Sequence, residues 1–225
     1  MTAVDSKSAE RSLWENILQR IEIFMWVLNQ ACIGFVTIYM FWICIYKGMG
    51  TMELHAFLVT IGFSLLMAEG IMCHYSINPL TNGFKRKTKT TIHWVLLTLG
   101  GGCGVAGCLV MIVIVKLNMD QLHNRLGFAA FILCLISMLS GLSALFSSYL
   151  RRILSPLLNK GFHNLVGFGT FLTALLAQYY GYEFFHSSII WSFINVLQVV
   201  TLVSLVLTSI GPLKALYQKI SSYFD

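Results

Sequence analysis

Charge is what this sequence has least of. Only 11% of its 225 residues are Asp, Glu, Lys or Arg, against roughly 25% in a soluble domain. Hydrophobic residues make up 57% and the mean hydropathy is +0.76. Too few charged groups remain to cover a water-soluble globule, so a soluble enzyme is excluded. Disorder is excluded too, because disordered chains are poor in apolar residues and rich in charge. No nucleic-acid partner is expected. Proline is scarce, with 3 residues, which suits long uninterrupted helices. The six cysteines (Cys32, Cys44, Cys73, Cys103, Cys108, Cys134) include no C-x-x-C pair, so they read as small buried hydrophobes rather than a disulfide framework or zinc site. Without C-x-x-C-H there is no covalent haem attachment either. The first 20 residues lack an apolar core and a small-residue cleavage site, so no signal peptide is expected.

What is present is a series of long apolar stretches. A spanning helix needs roughly 20 mostly apolar residues, and six stretches qualify: Ile21 to Tyr46, His55 to His74, His93 to Leu117, Leu126 to Leu150, His163 to Tyr182 and Ser187 to Ile210. The fold class expected is an all-α membrane protein with six transmembrane helices. Residues 1–20 form a cytosolic N-terminal segment, 21–210 a single membrane domain and 211–225 a cytosolic tail. Cytoplasmic loops carry the excess of Lys and Arg. With the N-terminus inside, Lys7, Arg11, Arg20, Lys85, Arg86, Lys87, Lys89, Arg151, Arg152, Lys160, Lys214 and Lys219 face the cytosol, leaving only Lys47, Lys116 and Arg125 opposite. Both termini are therefore expected in the cytosol.

Ionisable groups within spans are costly and usually functional. His55, His93 and His163 open spans 2, 3 and 5, and His123 sits one turn before span 4. Because alternate spans run in opposite directions, His55 can face His123 on the non-cytosolic side, and His93 can face His163 on the cytosolic side. Neutral imidazoles from facing helices can hold a planar iron porphyrin from both sides. Topology alone leaves His74 and His186 as further candidates, one at each level. The patterns His123-Asn124-Arg125-Leu126-Gly127 and His163-Asn164-Leu165-Val166-Gly167 put a glycine one turn from each histidine on the same face, an arrangement that would leave room for a macrocycle. Gly100, Gly101, Gly102, Gly104 and Gly107 are expected to do the same along span 3.

The segments His55-Ala56-Phe57-Leu58 with Gly62-Phe63 and Ala68-Glu69-Gly70, Ile92-His93-Trp94, Leu122 to Gly127 leading to Ser140-Gly141, and His163 to Gly167 together resemble the cytochrome b561 family, in its short six-span form, over spans 2 to 5. That resemblance implies a four-helix haem-binding core flanked by spans 1 and 6. It implies two non-covalent b-type haems, one on His55/His123 and one on His93/His163, so that His74 and His186 drop out as axial ligands. It also implies single-electron transfer from cytosolic ascorbate to monodehydroascorbate or a ferric chelate across the membrane, with no catalytic residue beyond the haem ligands. A homodimer and an endomembrane setting, in endoplasmic reticulum or vesicles, are expected.

The chain departs from many ascorbate-using members of that family. Cys73, His74 and Tyr75 stand where those carry Tyr-Arg, Asn124-Arg125 where they carry Ser-Trp, and Thr91 where they carry a basic residue. Arg86, Lys87 and Lys89 before His93, with Lys160 before His163, form a candidate cationic rim for an ascorbate monoanion. Glu69 falls about 21 Å beyond His55 along the helix, near the inner level, where it could support a ligand or simply pair with a neighbouring helix. Glu53, Asp120, Arg125, Glu183 and His186 lie near the outer mouth, where their oxygen and imidazole groups could hold ferric iron transiently but read first as ordinary solvated residues. Competing readings are a metal or solute transporter using the histidines as a path, although no broken-helix repeat is evident, and a haem-binding sensor without turnover.

Overall fold

In the computed structural model, residues 3–75, 78–116, 118–186 and 191–224 are described, the side chains of 3–12, 191–192, 219 and 222–224 apart. Among them there is no strand. Six long helices follow one another: α1 (Ala3–Tyr46), α2 (Thr51–Met72), α3 (Arg86–Val115), α4 (Leu122–Leu145), α5 (Pro156–Gly181) and α6 (Trp191–Phe224). Stretches of five of them, all but α5, are long and apolar enough to cross a membrane, which suits a multi-pass membrane protein. α5 has 26 residues, or about 39 Å of helix, but carries more polar side chains. Several of these are bonded inside the bundle, as a membrane interior requires. Gln178 accepts from Ser64 (2.6 Å) and donates to Thr60 (3.3 Å) and Tyr182 (3.0 Å), and Tyr182 meets Thr201 at 2.7 Å.

The helices outrun the expected spans. α1 is helical from Ala3 rather than Ile21, and α6 continues to Phe224. α3 begins at Arg86 and α5 at Pro156, so His93 and His163 lie about two turns inside their helices rather than opening them. His123 is the second residue of α4. Span 4 was expected to reach Leu150, but α4 stops at Leu145 and Leu150 lies in a short 3-10 turn. The expected span ends at Leu117 and Ser187 lie outside the described residues.

Without a hydrophobic drive between helices in lipid, close backbone contact must come from small residues. α2 and α3 make such a contact. A Cβ on Gly62 would sit 2.6 Å from the Gly100 carbonyl oxygen and 2.7 Å from the Gly104 nitrogen, and a Cβ on Gly104 would collide with the Phe63 ring. α4 and α5 form the second tight pair. The two pairs meet more loosely, α3 against α4 and α2 against α5, while α1 and α6 pack on the α2 and α5 side. The core is thus a four-helix square in which α2 lies diagonally across from α4 and α3 across from α5.

Two irregularities matter for the site. Within α2, residues Thr60–Met67 form a π-helical segment, which absorbs roughly one extra residue and often marks functional regions. In α6, Pro212 lacks an N–H, so the carbonyl of Thr208 four residues earlier loses its helical donor. Tyr75 fills the gap: its hydroxyl donates to the Thr208 carbonyl (2.6 Å) and accepts from the Gly211 N–H (2.6 Å).

Candidate functional site

The structure brings the four histidines into the two expected pairs, each across a diagonal of the square. His55 on α2 and His123 on α4 have ring centroids 6.1 Å apart with planes at 88°. His93 on α3 and His163 on α5 are 6.3 Å apart at 87°. A first-row metal–imidazole bond is about 2.0–2.1 Å. Adding roughly 1.1 Å from ring nitrogen to ring centre on each side, two imidazoles on opposite sides of one metal have centroids about 6.3 Å apart. Both pairs have the separation of rings that share one ion between them.

Each ring is held by its Nδ1. A carbonyl oxygen can only accept, so Nδ1–H donates in the three cases where the partner is main chain: His55 to Gly107 (2.8 Å), His93 to Gly70 (2.8 Å) and His123 to Ala177 (2.7 Å). Nδ1 of His163 instead lies 3.2 Å from the hydroxyl of Ser140. Metal-binding histidines usually donate their second ring nitrogen in this way, which fixes tautomer and orientation. Nε2 is the nitrogen left for a metal. All four holding contacts run within a tight pair, α2 with α3 or α4 with α5, whereas each histidine couple spans the gap between pairs.

The α2 and α3 contacts are reciprocal: each helix gives a histidine near its own start and a carbonyl near its own end. From His93 to Gly107 is 14 residues, about 21 Å, and this separates the two levels. From His55 to Gly70 is one residue more, and the π segment between them accommodates the addition. Without it Gly70 would rotate away from His93.

Glycines shape the site, two of them on the partner helices. A Cβ on Gly181 of α5 would lie 2.9 Å from Cε1 of His123, and one on Gly141 of α4 would lie 3.0 Å from Cε1 of His163. These rings abut the partner helix through Cε1 and Nδ1. Gly127, a turn from His123, has nothing within 4 Å of its Cβ direction, and Gly167 meets only Ser137 Oγ at 3.4 Å. Gly100, Gly104 and Gly107 serve the contact with α2, and Gly101 faces Met138 and Cys134. Of that run only Gly102 has open space beside it.

The two ends differ in their surroundings. At the His93/His163 end, the His74 ring lies 5.0 Å from that of His93, and Cys73, His74 and His93 could bring ligand atoms within 4.8 Å of one another. Cys73 donates to the same Gly70 carbonyl as His93 (3.0 Å). His74, past the end of α2, is pushed down to about 4 by burial and by the nearby His93, Lys89 and Arg86. Arg86, Lys87 and Lys160 are exposed and Lys89 is half-buried. Glu69 lies beside Gln30 of α1. At the other end Phe184 packs 5.3 Å from His123. Glu53, read from sequence as a solvated residue, is buried in the first turn of α2 and paired with Lys47 at 3.6 Å, because the turn through Gly48 and Met49 folds the end of α1 back over it. Arg125 closes its own loop on the Met119 and Asp120 carbonyls. His186 follows the short Tyr182–Phe185 turn. The six cysteines carry no disulfide.

The sequence matches the description of eukaryotic cytochrome b561 over residues 54–187, which contains all four paired histidines. No curated protein matches the chain. The matched region covers more than half of it, and the chain belongs to the cytochrome b561 family, whose members are transmembrane, b-haem-dependent electron-transfer proteins.

Proposed function

From membership of that family, we propose that the chain is a di-haem transmembrane reductase passing single electrons from cytosolic ascorbate to monodehydroascorbate or ferric iron on the other side. The observation that carries this reading is the presence of two histidine couples, about 21 Å apart along the helices, each with the ring spacing of a shared metal ion and each with Nδ1 committed elsewhere. His55 and His123 hold one haem and His93 and His163 the other, on all six helices as spans. A haem held in this way supplies a one-electron ferric–ferrous couple.

The residues of the chain do the remaining work. The hydrogen-bonded rings keep Nε2 aimed inward, and the apolar bundle keeps water from both levels. The twelve cytosolic Lys and Arg place the His93/His163 end inside and the termini in the cytosol. Arg86, Lys87, Lys89 and Lys160 attract an ascorbate monoanion to that end; each electron it yields is accompanied by a proton released to the cytosol. Neutral His74 adds no charge to this rim. A cytosol-negative potential favours outward electron movement by up to about 2.3 kcal/mol per 100 mV. The membrane is endomembrane rather than plasma membrane, and the unit is a monomer or homodimer.

Haem quantitation on purified protein with a reduced-minus-oxidised spectrum tests the reading. Two haems per chain are expected, falling to one in His55→Ala and in His93→Ala, with ascorbate reducing the wild type. A colourless protein would overturn the reading and return the histidines to a transport role.

A further inference from the structure

Three of the four paired histidines are anchored on main-chain carbonyls, and one is anchored on a side chain. We propose that Ser140 is a positioning residue that sets the electron affinity of the His93/His163 level through His163. This inference rests on reading that couple as axial ligands.

The donor and acceptor roles follow from the contacts. The Ser140 hydroxyl has one proton, and it is directed to the Ser137 carbonyl at 3.0 Å. The hydroxyl oxygen therefore accepts the Nδ1–H of His163 at 3.2 Å, giving a relay from imidazole to hydroxyl to carbonyl. Ser140 is 7% exposed, so water does not compete freely for this bond. Gly141 next to it lets the ring lie against the α4 backbone, 3.0 Å from where a Cβ would be. Ring and hydroxyl are thus both seated by consecutive residues of one turn.

The consequence is chemical. A hydrogen bond from Nδ1 raises the basicity of the ligand, which favours the ferric state. The other three bonds, at 2.7–2.8 Å to amide oxygens, push harder than one at 3.2 Å to a hydroxyl. His163 is the weakest donor of electron density of the four, and its level is the more readily reduced. Here the Nδ1 partner is a side chain, open to substitution, whereas those of the other three rings are main-chain carbonyls.

Redox titration of purified protein carrying both haems tests the proposal, with His93→Ala identifying which couple belongs to this level. Ser140→Ala is expected to raise that couple by about a tenfold change in its ferric–ferrous equilibrium, about 59 mV for one electron, and to leave the His55/His123 couple in place. The ferric EPR spectrum, sensitive to the angle between the rings, changes only for that level. Ser140→Thr keeps the hydroxyl and the wild-type potential, and retains the haem if Ser140→Ala does not. Ser143→Ala removes the one hydroxyl that lies within reach of both the Ser140 carbonyl (2.8 Å) and Asn159 Oδ1 (2.7 Å), and so loosens α4 on α5 without removing the His163 partner; no potential shift is expected. An unshifted couple in folded Ser140→Ala, an equal shift in Ser143→Ala, or loss of the haem in both Ser140 variants overturns the role of Ser140. Wild type with fewer than two haems, or two couples surviving in His93→Ala, would instead overturn the di-haem reading.

Discussion

The His55/His123 end and the His93/His163 end share a skeleton and differ in what surrounds it. Ring separation (6.1 and 6.3 Å) and ring angle (88° and 87°) match between them. At the first end both rings donate to carbonyls, the neighbour of His123 is an aromatic ring, and the buried carboxylate of Glu53 is neutralised by Lys47. At the second, one ring relies on a hydroxyl, and His74, Arg86 and Lys89 crowd the approach. The histidine couple is thus a property of the helix square and is repeated. Meeting a soluble partner is a property of each rim and is not.

The largest expected effect tests whether the skeleton is common to both ends. Gly104→Leu would drive a side chain into Phe63 and the Gly62 backbone, separating the pair that anchors both His55 and His93. Overpacking costs about 1–3 kcal/mol or more, and loss of both haems together is expected from the absorbance spectrum. Retention of either at full occupancy would mean the two levels do not depend on one contact. Smaller effects should be confined to one end. Gly181→Ala presses on His123 and Gly141→Ala on His163, so each is expected to lower the haem content of its own level by about 10-fold in affinity, with the other level intact. Equal losses at both levels would dissolve the distinction.

How much of this was legible beforehand depends on which physical quantity fixed each feature. Depth and chain direction, which hydropathy reports well, bring His55 level with His123 and His93 level with His163 but leave His74 and His186 open; only the resemblance to the family narrows each level to one couple. Rotation about a helix axis is another matter. In α4, apolar almost all round, nothing in the sequence says which face meets α5, so the seats that Gly141 and Gly181 give to the rings of the partner helices went unread. The π segment in α2 was equally silent, since Thr60–Met67 has no distinctive residue pattern. The pairing of Glu53 with Lys47 needed the turn at Gly48 and Met49, a local geometry of two positive φ angles, and the anchoring of His163 by Ser140 needed a rotamer.

A more modest effect concerns the rims. Arg86→Ala and Lys89→Ala should each raise the ascorbate concentration required for half-reduction by about two- to five-fold, the scale of exposed charge interactions, and added salt should shrink the difference. The same measurement with Lys47→Ala, at the opposite end, should show no change. If Lys47→Ala has the same effect, the cationic residues act through net charge and the two rims are not distinct.

The smallest effect concerns how each end is tied to α6. At the first end Tyr182, buried between helices, meets Thr201; at the second Tyr75 satisfies the Thr208 carbonyl that Pro212 leaves without a donor, and Asn164, beside His163, donates to the Pro212 carbonyl at 3.0 Å. Tyr75→Phe leaves the Thr208 carbonyl of α6 without a donor, at about 1–3 kcal/mol, read as a fall of a few degrees in the thermal midpoint. Pro212→Ala restores the missing N–H, so Thr208 regains a helical donor, and in that background Tyr75→Phe should cost less than it does alone. An additive double variant would show that Tyr75 acts by packing against Gly211 rather than by replacing the lost hydrogen bond. Haem content at both ends should stay at the wild-type value throughout, because Tyr75 braces a flanking helix and holds neither histidine couple.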